Sequence, residues 1–147
     1  MDELTLSQAN RIIASALEAA RHAQYRPMAV VVLDAAGHLV AAQREDGASM
    51  FRIDIATGKA WAAVAMGADS RALVTRAAEN PNFYGALAST AHGRFLPQTG
   101  AVLIRDSAGH VLGAVGASGG TGDEDEAICM TAVSALKAAG PTSGARS

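Results

Sequence analysis

The sequence predicts an α+β domain: an antiparallel sheet made of two hairpins, with helices packed on it. Three observations predict this class. Two apolar, strand-like runs are each followed by an Asp-x-x-Gly turn and a second run, the turns being Asp34-Ala35-Ala36-Gly37 and Asp106-Ser107-Ala108-Gly109. Before, between and after these hairpins, apolar residues recur at the three-and-four spacing of a helical face. Aromatic residues make up only 4% of the chain while Ala and Gly are abundant, so close approach of backbones takes the place of bulky packing. The order helix, hairpin, helices, hairpin, helix is that of a layered α+β domain.

Each element follows from local chemistry. Thr5-Leu6-Ser7-Gln8 has the form of a capping box, the Thr5 hydroxyl meeting the Gln8 N–H while the Gln8 side chain reaches back. Ala9, Ile12, Ile13, Ala16, Leu17 and Ala20 then form one face, predicting a helix from about Leu6 to Gln24. Pro27 blocks continuation, and the unbroken apolar run from Met28 to Leu33 reads as a buried strand. After the Asp34–Gly37 turn, His38 to Arg44 is expected to pair back on it.

The middle of the chain is mainly helical. Ile53, Ala56, Thr57, Ala60 and Val64 mark a helix from Phe51 to Met66, which Gly67 can terminate. Ser70 is read as the cap of a shorter helix through about Ala78, interrupted by Asn80-Pro81 and followed by another short helix over Phe83–Ala91. His92 to Gly100 reads as a loop. Ala101–Arg105 and His110–Ala117 form the second hairpin. Thr121 and Glu124 then give a second capping box for a final helix whose apolar face is Ile128, Ala132, Ala135, Leu136 and Ala139, stopped by Gly140-Pro141. Residues 1–141 are expected to form one domain and 142–147 a flexible tail.

Composition narrows the function classes. The chain has 147 residues and a formal net charge of −2 with both signs interspersed, which argues against nucleic acid or an anionic membrane as a partner recruited by bulk charge. Met1-Asp2-Glu3 is acidic and leads into an amphipathic pattern, so no secretory signal is expected, and no apolar stretch has the length of a membrane span. The one cysteine, Cys129, cannot form an internal disulfide. A reducing, cytoplasmic setting is therefore expected.

The stretch richest in chemistry is Gly116 to Glu126, where a strand breaks into glycines and opens a helix. Free N–H groups at Ser118, Gly119 and Gly120 make it a candidate anion site, with the Ser118 hydroxyl as a further donor. The alternative is a purely structural connection, since Asp123, Glu124, Asp125 and Glu126 already place acid at the helix start. No Lys follows the glycines, which excludes a nucleoside-triphosphate loop, and the dinucleotide fingerprint does not match.

Positive charge for such a pocket is expected from Arg44 and Lys59, Arg as a bidentate fork and Lys as a point charge on a small carboxylate. Asp46 or Asp125, with Lys59, would then be the catalytic candidates, performing acid–base work on the carbon next to the carboxylate. The competing expectation for Arg44 and Lys59 is a salt bridge with Asp46, Asp54 or Asp125. His22, His38, His92 and His110 lack metal-ligand spacing, so no metal site is predicted. His22 is expected to suit the dipole at the end of the first helix. Cys129 is expected to be a small core residue.

Taken together, Asp34-x-x-Gly37-His38-Leu39, Arg44-x-Asp46-Gly47-Ala48, Lys59-Ala60 and Gly116-x-Ser118-Gly119-Gly120-x4-Asp125-x-x-Ile128 resemble the GlcG/HbpS-like family, which includes the C-terminal domain of PduO-type proteins. The resemblance runs in order over nearly the whole chain, and its most specific part is the Ser-Gly-Gly turn with the spaced Asp. It implies a profilin-like sheet of four to five strands, the fifth being short and lying in Arg94–Gln98, and assembly into homo-oligomers, either dimers or rings of dimers. It also implies a small-molecule ligand. Family members are associated with haem binding or degradation, with glycolate-utilisation operons and with dehalogenation or related chemistry on hydroxymuconate-type acids.

The expectation is therefore a small-molecule-binding protein, acting on a small organic acid by lyase, tautomerase or dehalogenase chemistry; the alternative is non-catalytic haem binding, haem being the one cofactor the resemblance raises. The chain departs from the family pattern at Gly100-Ala101-Val102-Leu103-Ile104, at Thr121-Gly122-Asp123-Glu124 and at Thr131-Ala132. These changes touch surfaces near the expected pocket and leave the fold alone.

Overall fold

In a computed structural model, which describes residues 3–139, a four-stranded antiparallel sheet is covered by helices on both faces. The elements are α1 (Leu6–His22), β1 (Ala29–Asp34), β2 (Leu39–Arg44), α2 (Phe51–Met66), α3 (Ser70–Glu79), α4 (Pro81–Thr90), β3 (Ala101–Arg105), β4 (Val111–Ser118) and α5 (Gly122–Ala138). Strand order is β2-β1-β4-β3. The two hairpins thus lie side by side, with β1 and β4 as the central pair, in register from Ala29 opposite Ser118 to Asp34 opposite Gly113.

Side-chain alternation divides the core in two. Val30, Val32, Val102, Ile104 and Val115 meet α1 and α5 through Ile12, Ile13, Ile128 and Ala132. Val31, Leu33, Leu103 and Ala114 meet α2 through Ala56, Ala60 and Ala63. Because both faces are covered, β1 is an unbroken apolar run and does not alternate. α2 lies close on β4: a Cβ on Gly116 would run into the Ala56 carbonyl oxygen.

Both hairpin turns are built alike. Asp34 Oδ1 accepts the N–H groups of Ala36 and His38, and Asp106 Oδ1 those of Ala108 and His110, all at 2.9 Å. Gly37 and Gly109 take φ of +83° and +89°, the left-handed conformation that glycine adopts without steric cost. Both capping boxes form, at Thr5 with Gln8 and at Thr121 with Glu124. α2 spans the expected residues, and Gly67 ends it with φ +65°.

The structure corrects three expectations. No fifth strand forms at Arg94–Gln98, which runs as a loop whose Leu96 N–H donates to the Gly58 carbonyl of α2. Ser70 is not a cap; Asp69 occupies that position, and buried Ser70 turns its hydroxyl toward β3. α4 begins two residues earlier than expected, at Pro81, whose fixed φ and missing N–H suit the first position of a helix. Gly140-Pro141 and the tail 142–147 lie outside the described residues.

Candidate functional site

The Ser-Gly-Gly turn leaves β4 at Ser118 and enters α5 at Gly122, and a buried ion pair closes it from beneath. Lys59, on the sheet-facing side of α2, is 5% exposed, and Asp125 is 2% exposed. Lys59 Nζ donates to Asp125 Oδ2 at 2.9 Å and to the Ala117 carbonyl at 3.1 Å. The other carboxylate oxygen, Oδ1, accepts the Gly120 N–H at 2.9 Å. Lys59 reaches Asp125 by passing Gly100, at φ +137°, where a Cβ would sit 2.6 Å from Nζ. Of the alternatives for Lys59, the salt bridge with Asp125 is the one that forms.

This arrangement consumes donors that an anion would need. The Gly120 N–H is taken by Asp125, and the Thr121 N–H by Glu124 at 3.0 Å. Among the described residues, no buried side-chain nitrogen or oxygen lacks a hydrogen-bond partner. A dry ion pair survives only when its remaining donors and acceptors are met, and here they are. Cys129 sits behind it, fully buried, with Sγ 3.7 Å from the Gly100 carbonyl. Burial pushes the Cys129 thiol far up, the Asp125 charge adds to the rise, and Lys59 opposes it.

The other expected residues go elsewhere. Arg44, at the end of β2, donates from Nη1 to the Ala48 carbonyl at 2.6 Å, and Asp46 lies exposed in the loop that follows. Both border an open groove of about 450 Å³ together with Leu17, Arg21 and Glu45. Arg21 is committed there: Nε meets Glu45 Oε2 at 2.9 Å and Nη2 donates to the Tyr25 and Arg26 carbonyls. Glu45 Oε1 in turn accepts the Met28 N–H at 2.8 Å. The expected site therefore divides into a sealed part, with Lys59, Asp125 and the glycine turn, and an open part with Arg44 and Asp46.

Ser118 is held by a residue that sequence reasoning passed over. Its hydroxyl, 1% exposed, accepts from Arg52 Nη1 at 3.2 Å. Arg52 lies in the first turn of α2, among residues read only for their apolar face.

A second groove, of about 520 Å³, runs between the C-terminal half of α1 and the outer side of α5. Ala19, Ala23 and Ile128 give it apolar walls, and His22, Tyr25 and Glu18 edge it. His22 is exposed in the last turn of α1, so the position read for its helix-dipole effect also presents an imidazole to a groove. His22 and Tyr25 sit three residues apart at a helix end, a signal visible in the sequence only once α5 is known to pack alongside. Among the described residues there is no cluster of metal-ligating side chains, and no helix is long and apolar enough to cross a membrane.

A three-layered profilin-like domain with a Ser-Gly-Gly turn locked by a Lys–Asp pair is the class these elements define. The model of the family described as "Haem degrading protein HbpS-like" matches residues 4–134, and the chain belongs to that family. Among solved structures, it is similar to the PduOC–heme complex at 29% identity, over 91% of this chain and 95% of that one, with a TM-score of 0.81. Klebsiella pneumoniae protein ORFY matches at 26% identity over 94% of each chain, TM-score 0.84. A double mutant of Streptomyces reticuli HbpS matches at 28% identity, over 92% and 88%, TM-score 0.80. No curated protein matches the chain.

Proposed function

We propose that this protein is a small-molecule-binding member of the HbpS-like family that takes haem in the groove between α1 and α5, with His22 as the iron ligand. One observation carries the proposal: the groove brings an exposed imidazole and a tyrosine to the edge of an apolar wall. Its volume of about 520 Å³ lies within the range of small-molecule sites, about 300–1,000 Å³. The donor set suits the group, since imidazole is a common axial ligand of haem iron and a phenol is a less common one. Similarity to a protein crystallised as a heme complex supports the same ligand class.

The roles of the chain's own residues follow from position. His22 would hold the iron through a ring nitrogen in its neutral form. Ala19, Ala23 and Ile128 would exclude water from one porphyrin face, and Glu18 would stay in solvent at the rim. When bound, haem supplies a redox-active iron whose behaviour is set by its axial ligand and the polarity around it. Binding is the proposed activity. Lys59 and Asp125, the catalytic candidates of the sequence, turn their polar atoms toward each other and the backbone.

Haemin titration followed by absorbance tests the proposal. The wild type should develop a saturable, equimolar Soret band, and His22→Ala should lose it or bind about tenfold or more weakly. Absence of a band in the wild type ends the haem reading. An unchanged band in His22→Ala moves the iron to another residue.

A further inference from the structure

We infer a second ligand site, independent of the haem groove, at the end of the sheet where α2 begins: Arg44, Arg52 and Ser118 form a receptor for a small oxyanion, a carboxylate or phosphate group. Register brings the three residues together. Arg44 on β2 and Ser118 on β4 both pair with Ala29 on the central strand β1. Directly paired residues point to the same face of a sheet, so both side chains lie on the side covered by α2, with backbones about 10 Å apart across two strand spacings. Arg52 comes down onto this end from the first turn of α2, its Nη1 3.2 Å from Ser118 Oγ. Arg44 anchors on the carbonyl of Ala48, four residues before Arg52.

Arg44 and Arg52 both carry more donors than the protein supplies acceptors, and Arg52 differs from other arginines without a carboxylate, such as Arg94 and Arg105, in bonding a buried hydroxyl rather than a backbone carbonyl. Neither Arg44 nor Arg52 makes an ion pair with a carboxylate among the described residues, whereas Arg21, Lys59 and Arg71 all do. Each of the two guanidiniums spends one N–H on the protein and has four left. Ser118, 1% exposed, accepts from Arg52, and its own hydroxyl proton has no acceptor among the described residues. A buried hydroxyl with an idle proton beside one unpaired guanidinium, with a second on the same sheet face across β1, lacks negative charge and acceptor atoms, and an oxyanion supplies both. The neighbouring acids Asp46 and Asp54 are exposed and form no bond to either arginine.

The site revises the sequence expectation in one respect. A pocket for a small acid built on Arg44 and Ser118 was expected to draw its second cation from Lys59; Lys59 is held by Asp125, and Arg52 stands in its place. Arginine serves better, because its planar fork can meet two oxygens of one carboxylate or phosphate at once.

Isothermal titration and thermal shift of the full chain with malonate, acetate and inorganic phosphate test this at low and high chloride. Binding of at least one probe that Arg52→Ala weakens about tenfold or more is expected, the size of one lost charged hydrogen bond. Arg44→Ala should act similarly, Ser118→Ala less, and Arg52→Lys should fall between the wild type and Arg52→Ala. Preference for phosphate over malonate identifies a phosphate ligand, and the reverse an organic acid. Retention of the circular-dichroism spectrum separates loss of the site from loss of fold. No binding by any probe, or binding unchanged in Arg44→Ala and Arg52→Ala, overturns the site. Because haem is read separately by its Soret band in His22→Ala, failure here leaves the haem result standing, and the reverse.

Discussion

One helix, α5, borders two regions built to opposite rules. Its first turn faces the glycine turn, where Asp125 is buried and both its oxygens are engaged. Its outer side, at Ala127 and Thr131, faces the groove at whose edge His22 is exposed. The first region carries the most specific motif in the chain, and its polar groups bond one another. The second carries no motif and offers its polar groups outward. A recurrent sequence pattern can mark a fold's keystone as readily as its ligand site, and a count of the partners each polar atom already has tells the two apart.

The sharpest test of the difference is Asp125→Ala. It strands the Lys59 ammonium in the interior and leaves the Gly120 N–H without its acceptor. Breaking one side of a buried ion pair costs about 3–5 kcal/mol, so the melting temperature should fall by about 10 °C or more. Pairing it with Lys59→Met should recover much of that loss, since an apolar pair in the same space needs no partner. Haemin binding by the folded fraction should be unchanged. A variant of near-wild-type stability that no longer binds ligand would instead place the ion pair in a binding site.

Ser70→Ala probes the same sealed architecture one layer out. The Gly100 and Ala101 N–H groups donate to Ser70 Oγ at 3.0 and 2.9 Å, and Ser70 Oγ donates to the Ala101 carbonyl at 3.1 Å. Asp69 Oδ1 takes the Leu103 N–H at 2.8 Å. Together the two side chains cover the outer edge of β3, an edge that would otherwise invite pairing with another chain. Losing the hydroxyl leaves buried donors unmet, at about 1–3 kcal/mol, read as a lowered urea midpoint. Thr121→Ala should cost less, about 1 kcal/mol for a helix cap, because the α5 N-terminus it serves is solvated.

Much of the sealed architecture was legible in the residues. The Asp-x-x-Gly turns, both capping boxes and the limits of α2 follow from local rules, since each depends on residues within one turn of one another. The role of Ser70 was not legible: its partners are some thirty residues away, and a serine before an apolar periodic run looks like a cap. The absent fifth strand has a similar cause, as Arg94–Gln98 is held by a bond to α2 and a cation–π contact of Arg94 over Trp61 at 4.7 Å. The partner of Lys59 was among the named alternatives, and packing decided it. Arg52, His22 and Tyr25 acquire a functional reading only from tertiary neighbours, the first from β4 and the other two from α5.

The smallest effect should come from the hairpin turns, which are exposed and held by local bonds. The Asp106 carboxylate accepts the N–H of His110, then that of Ala108, with the His110 ring nearby, and these hold its pKa below the usual aspartate value. A folded-state pKa depressed in this way contributes stability above the unfolded value, about 3.9, and that stability is lost as pH falls through the folded value. Asp106→Asn should therefore be slightly less stable than the wild type at pH 7, with the gap closing below about pH 4. Urea midpoints at the two pH values measure it. A gap that persists or widens in acid would mean that the amide group itself, and not the lost charge, weakens the turn.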